Sequence, residues 1–168
     1  EYNRNPKEYA FGFNKRVLAY FACDLYNVYM TTQLNGAETV FLPFNQGSNG
    51  AGKDGGAGNP TTEDGKYVTS YFWENVLQKD KLLDILQKFI SYERSEKKKI
   101  MPDGSTKTTV SSKVIFPRYH QLDVVRKLVS HVRENGAGHN YLIQHSAGSG
   151  KSNSIAWTAY RMASLHDE

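Results

Sequence analysis

Apolar residues recur along this chain in two rhythms, and the change from one to the other marks its elements. In residues 14–24 the side chains of Val17, Ala19, Phe21 and Cys23 fall on alternate positions, the spacing of a half-buried strand. Leu25-Tyr26-Asn27 can turn the chain, and Val28, Met30, Thr32 and Leu34 then alternate with Tyr29, Thr31 and Gln33 as a hairpin partner. Asn35-Gly36 is a turn pair, and residues 39–42 make a short third strand that Pro43 ends. The helical rhythm takes over in residues 67–92. One stripe holds Trp73, Val76 and Leu77, and another holds Leu82, Leu83, Leu86, Phe89 and Ile90, with Asp80 between them as an N-cap; one long helix or two short ones fit equally well. Pro102-Asp103-Gly104-Ser105 predicts a turn, and the β-prone residues 108–115 complete a hairpin around it.

A second helix opens at Phe116-Pro117-Arg118-Tyr119-His120-Gln121, with Pro117 near its first position. Leu122, Val125, Leu128, Val129 and Val132 form its buried stripe, and it ends before Gly136. Residues 141–143, Tyr-Leu-Ile, read as a buried strand that feeds Gly148-Ser149-Gly150-Lys151-Ser152. Beyond that, Ile155, Ala159, Met162 and Leu165 recur at steps of three and four, the stripe of a third helix. The pattern as a whole is α/β.

Between these elements, residues 46–65 carry seven glycines and almost no apolar side chains. A structureless loop of about twenty residues is uncommon inside a domain. It is either a flexible linker, expected to be the most mobile and protease-sensitive part of the chain, or a backbone-rich loop that orders on a nucleic acid or a neighbouring domain. The 168 residues are enough for one domain or parts of two. A net charge of +4 permits an anionic partner without demanding one. The charge run in residues 93–99, with Arg94, Lys97, Lys98 and Lys99, reads as a solvated face or as a contact for phosphates. A lone cysteine excludes internal disulfides and fits a reducing cytoplasm; its strand position predicts a buried thiol. No run approaches the roughly 18 apolar residues of a membrane span, and the first residues lack signal-peptide character.

Strand, glycine-rich turn, Lys-Ser and helix is the layout of a P-loop. Its glycines let backbone N–H groups wrap phosphates, and the new helix adds the positive end of its dipole. In such a loop Lys151 would supply charge to the β/γ-phosphates, and the Ser152 hydroxyl would hold Mg²⁺. By average residue usage, G-x-G-K-[S/T] arises by chance in roughly one chain in a few hundred of this length, so its placement between a strand and a helix carries weight. The longer pattern asks for Gly where His145 stands, and a glycine turn merely joining strand to helix is the competing explanation.

Pro117-Arg118-Tyr119-His120-Gln121, followed about twenty residues later by Tyr-Leu-Ile-Gln-His-Ser-Ala-Gly-Ser-Gly-Lys-Ser, resembles the start of the superfamily 2 helicase-like motor in the restriction (R) subunit of type I restriction enzymes. Val28-Tyr29-Met30-Thr31-Thr32, Phe41-Leu42-Pro43-Phe44-Asn45, Gly56-Ala57-Gly58-Asn59-Pro60, Tyr71-Phe72-Trp73-Glu74 and the helix at residues 83–90 resemble that subunit's segment between nuclease and motor, and His145 is similar to the family's own variant. The resemblance covers essentially the whole chain. It implies a distal part of a nuclease-like domain in residues 1–45, a glycine-rich loop in 46–66, a helical connector in 67–112, and the first strand–P-loop–helix unit of a RecA-like ATPase in 113–168.

It further implies an ATP and Mg²⁺ site built from Arg118, Gln121, Ala147, Gly148, Ser149, Gly150, Lys151 and Ser152. Gln121 falls in the motif that reads adenine, as a Gln amide can through N6 and N7, with Arg118 and Tyr119 supporting or stacking on the base. The expected partners are double-stranded DNA and the modification and specificity subunits. The parent would be an ATP-dependent type I site-specific deoxyribonuclease. A P-loop ATPase also needs a later strand carrying an acidic residue, which no residue after the third helix provides, so the chain reads as a piece expected to be inactive alone. The family's nuclease residues are not expected within it: Asp54 with Asp64-Gly65-Lys66 lies in the glycine loop, and Glu96-Lys97-Lys98 lies in a charge run with Pro102-Asp103 on its wrong side. The alternative is a nucleotide- or phosphate-binding module of another superfamily 2 protein without nuclease function.

Overall fold

The computed structural model describes residues 8–62, 65–102 and 104–165, a mixed α/β arrangement of two small antiparallel sheets and three α-helices. The opening residues 1–6, Asp64 and Asp103 lie outside the described residues. The first sheet joins β1 (Tyr20–Cys23), β2 (Val28–Thr31) and β3 (Leu42–Pro43) in that order. Its register sets Phe21 opposite Met30 and Met30 opposite Leu42. The β1–β2 turn is closed by the Asp24 carboxylate, whose Oδ1 accepts the N–H groups of Tyr26 and Asn27, each at 2.7 Å. Cys23 is exposed rather than buried: it ends β1 at this turn, where the core gives out.

The helical segment is shorter than its periodicity predicts. A π-type turn at Phe72–Val76 precedes α1 (Lys79–Lys88), whose N-cap is Gln78 rather than Asp80. Ile85 and Phe89 are buried, whereas Trp73, Leu77, Leu83 and Leu86 stay exposed. The chain then turns into β4 (Ser91–Ile100), which pairs along ten rungs with β5 (Thr106–Ile115), so the anticipated hairpin is longer than the sequence suggests. The Thr, Val and Ile residues of β5 favour a strand and draw residues 91–100 into the ladder once the apolar stripe ends at Ile90.

Helix α2 (Tyr119–Asn135) buries Leu122, Val125 and Val129 as its stripe predicts, and it starts two residues after Pro117. Helix α3 (Lys151–Ala163) buries a different face from the expected one: Ser154, Trp157 and Arg161 point inward, while Ile155 is 69% exposed. Periodicity fails there because an arginine occupies the inner face. Arg161 Nη1 donates to Asp84 Oδ2 at 3.0 Å on α1, and its guanidinium lies 5.0 Å from the centre of the Phe89 ring. Arg126 of α2 reaches the same carboxylate oxygen at 3.2 Å, so Asp84 joins all three helices.

One hydrophobic core gathers Val28, Met30 and Phe44 from the first sheet, Phe72, Ile85 and Phe89 from the helical segment, and Phe116, Leu122 and Trp157 from the rest. At its centre the rings of Phe21, Phe44, Phe72 and Phe116 meet edge to face or tilted, with centroids 4.8–6.3 Å apart. Fully burying each such ring contributes about 1.5–3 kcal/mol.

The glycine-rich segment is not a slack linker. Gly47 N–H donates to Gly58 O at 2.8 Å and Ser48 N–H to Gly56 O at 2.9 Å, closing it into a lobe. Asn45 organises the base: its Oδ1 accepts from Val28 N–H at 2.9 Å and from Asn59 Nδ2 at 3.0 Å, and its Nδ2 donates to Ala57 O at 3.1 Å. Gln46 Nε2 then donates to the Tyr119 hydroxyl at 3.0 Å, and Lys127 Nζ to Ala51 O at 3.1 Å, so the lobe lies on α2. Side-chain amides replace the apolar packing the segment lacks.

Candidate functional site

Residues 141–143 form no strand, and Leu142 is 95% exposed. A strand needs a ladder partner for its N–H and C=O groups, and among the described residues no strand lies beside this one. The loop that follows nevertheless takes its turn locally. Gly148 and Gly150 adopt left-handed φ of 72° and 82°, and α3 starts at Lys151 directly behind them. The N–H groups of Gly150, Lys151 and Ser152 meet no backbone acceptor among the described residues and lie at the positive end of the helix dipole. Lys151 folds over the loop, its Nζ donating to Ser146 O at 2.9 Å and His145 O at 3.1 Å. Ser152 and Ala147 are exposed beside it.

Helix α2 braces the loop from below. Gln121 is 3% exposed, and both ends of its amide are bonded. Oε1 accepts the Arg118 N–H at 2.9 Å, capping α2, and Nε2 donates to Gly150 O at 2.8 Å. One hydrogen on Nε2 and one lone pair on Oε1 remain unspent. Tyr119, expected near a base, sits edge-on to Tyr71 at 5.1 Å and Phe44 at 5.8 Å, with its hydroxyl on Gln46. Of Arg118, Tyr119 and Gln121, the structure ties only Gln121 to the glycine turn, through Gly150 O.

Two histidines complete the brace, and the sequence pattern does not single out His120. Its Nε2–H donates to Ser149 O at 2.9 Å, and its ring stands nearly perpendicular to that of His145, with centroids 4.8 Å apart. Burial pushes the His120 pKa down, helped by Arg118 and partly opposed by the Ser149 bond. Burial also lowers His145, with His120 and Lys151 adding repulsion and Asp123 opposing it. Both rings are therefore neutral at pH 7, which fixes His120 as the Nε2–H tautomer. His145 in place of glycine is the one signal that could point to this pair.

Among the described residues three buried side-chain atoms have no hydrogen-bond partner: His145 Nδ1, Ser149 Oγ and Ser154 Oγ. All lie on the loop or in the first turn of its helix. Buried polar atoms are nearly always bonded, so unspent bonding capacity concentrates here. Alongside, a cleft of about 670 Å³ opens between the glycine lobe, the start of α2 and residues 142–146, with Gln46, His120, Asp123 and Lys127 on its walls. The donor set suits a polyphosphate: a lysine ammonium, free N–H groups and a hydroxyl, with Ser152 able to give Mg²⁺ one of its oxygen ligands. Comparison with family models, curated proteins and solved structures finds no match to this chain. Among the described residues no helix is long and apolar enough to cross a membrane.

Proposed function

We propose that this chain contributes the ATP-binding loop of an ATP-driven, DNA-translocating and DNA-cleaving subunit of the type I restriction R kind. The observation that carries the nucleotide part is the convergence, on one loop and the first turn of its helix, of two left-handed glycines, a helix start at Lys151 and the three unpartnered buried polar atoms found among the described residues. In this reading Lys151 leaves the carbonyls of His145 and Ser146 for the β/γ-phosphates, while Gly150, Lys151 and Ser152 donate their N–H groups. Ser152 supplies a ligand to Mg²⁺, which neutralises phosphate charge when bound. Gln121 reads the adenine edge with its unspent hydrogen and lone pair, keeping its bonds to Arg118 and Gly150. The DNA-directed part is supported by the resemblance of the segments around residues 28–60 and 71–90, and the working place of such a subunit is the cytoplasm.

The test is titration of the chain with Mg²⁺-ATP, followed by the fluorescence of Trp157, which lies on α3 itself. A charge-assisted bond to phosphate contributes about 1.5–3 kcal/mol, so Lys151→Ala should raise Kd by roughly ten- to a hundredfold. Its unfolding midpoint should stay that of the wild type, because Lys151 is exposed. Equal affinity in the variant, or no binding by the wild type, would remove the nucleotide reading.

A further inference from the structure

The β4–β5 ribbon is exposed along nearly its whole length. It is rooted by the buried Val114, by Ile115, which packs against the core, and by Tyr92, whose ring meets Phe13 at 6.3 Å. Beyond the root, nearly every residue of both strands is exposed, and the strands pack chiefly on each other. Ten residues at roughly 3.4 Å each make an arm about 30 Å long.

Charge is sorted along this arm. At the root half, Glu93 is paired with Lys113 at 2.9 Å and Glu96 with Arg94 at 3.2 Å. At the tip half stand Lys97, Lys98, Lys99 and Lys107, none with a carboxylate in reach among the described residues. Four lysines less Asp103 put +3 of the chain's net +4 at the tip. Lys99 lies directly across the ladder from Lys107. Like charges in that position destabilise a ribbon, so the pair is a local cost that an anionic partner would turn into a gain. Lys97 faces Thr109 and Lys98 faces Thr108, adding hydroxyl donors beside the charges.

The geometry points to double-stranded DNA as the partner of this tip, held through its phosphates with the ribbon lying along the major groove. That groove, about 12 Å wide, admits a two-stranded ribbon, whereas the deep, narrow groove of duplex RNA does not. No aromatic residue lies between Lys97 and Lys107, so the tip lacks the stacking platform a single strand requires. The inference rests on the ribbon and is independent of the nucleotide site.

The experiment measures anisotropy of a labelled DNA duplex of about three helical turns with the whole chain and no nucleotide, from about 50 to 200 mM salt. Changing Lys97, Lys98, Lys99 and Lys107 together to Gln should weaken binding at least tenfold. It should also flatten the plot of log affinity against log salt by about 0.9 for each phosphate that the variant no longer neutralises. A control with the exposed Lys15, Lys79, Arg16 and Arg133 changed to Gln removes the same charge elsewhere and should bind nearly as the wild type does. Equal weakening in the two variants, an unaffected tip variant, or no duplex binding by the wild type would each overturn the assignment. So would equal binding of a single strand or an RNA duplex. Because no ATP is present, a failure of the P-loop reading leaves this outcome unchanged.

Discussion

Replacing Gln121 with Ala tests whether α2 holds the glycine turn in place. The side chain is 3% exposed and makes two bonds, to the Arg118 N–H and to Gly150 O. Losing a bond whose partner keeps another costs about 1 kcal/mol, whereas losing one that orphans a buried partner costs about 1–3 kcal/mol. The two partners differ in what they lose. Gly150 O keeps the Asn153 N–H at 3.1 Å, whereas the half-buried Arg118 N–H has no second acceptor among the described residues. The expected cost is therefore about 2–3 kcal/mol, at the lower end of what two broken buried bonds could give. For a chain of this size that lowers the melting temperature by roughly 4–12 °C. Gln121→Glu preserves the acceptor for Arg118 but turns a carboxylate oxygen toward Gly150 O, so it should cost at least as much at pH 7. Urea titration of the three proteins gives the free energies. An alanine variant within about 0.5 kcal/mol of wild type, or a glutamate variant as stable as wild type, would refute the bracing role.

Four further outcomes are expected. Asp84→Ala leaves Arg161 unpaired with its side chain 10% exposed; the partial exposure of Asp84 and Arg126 scales the buried-pair penalty to about 2–3 kcal/mol, read by the same titration. Gly150→Ala forces a left-handed φ on alanine and drives its methyl into the Gln121 amide, costing at least about 1–2 kcal/mol and weakening ATP binding in the fluorescence assay. The folded pKa values of His120 and His145 lie below their ordinary 6.5, so the unfolded chain takes up protons first as pH falls. Stability is full above pH 6.5 and declines below it, and the double His→Gln variant should lose that decline in urea midpoints compared at about pH 7.5 and about pH 5.5. Asn45→Ala removes the amide at the base of the glycine lobe, and limited trypsin digestion should then cut at Lys53 several-fold faster than in the wild type.

Legibility in the sequence follows what periodicity can register. The stripe of α2 is readable because Leu122, Val125 and Val129 are both apolar and buried. The face of α3 is not, since the inward residue Arg161 owes its place to Asp84, 77 positions earlier on another helix. The glycine lobe looks slack because its order comes from Asn45 and Asn59, whose bonds leave no rhythm in composition. At the candidate site, the glycine turn and the start of α3 are visible in Gly148 to Ser152. The tie from Gln121 to Gly150 is visible only as a motif, because an approach across 29 positions depends on how α2 packs.

Helix α3 is gripped at both ends. Its N-cap carbonyl is held by Gln121 of α2, and Arg161 near its other end is held by Asp84 of α1. The rise from Lys151 to Arg161 is about 15 Å. A rod fixed in this way has little freedom to bend, so any displacement of the glycine turn is delivered to the Asp84 anchor as a push or pull along the axis. The turn then cannot shift on its own: either the ionic anchor lets go, or α1 travels with it.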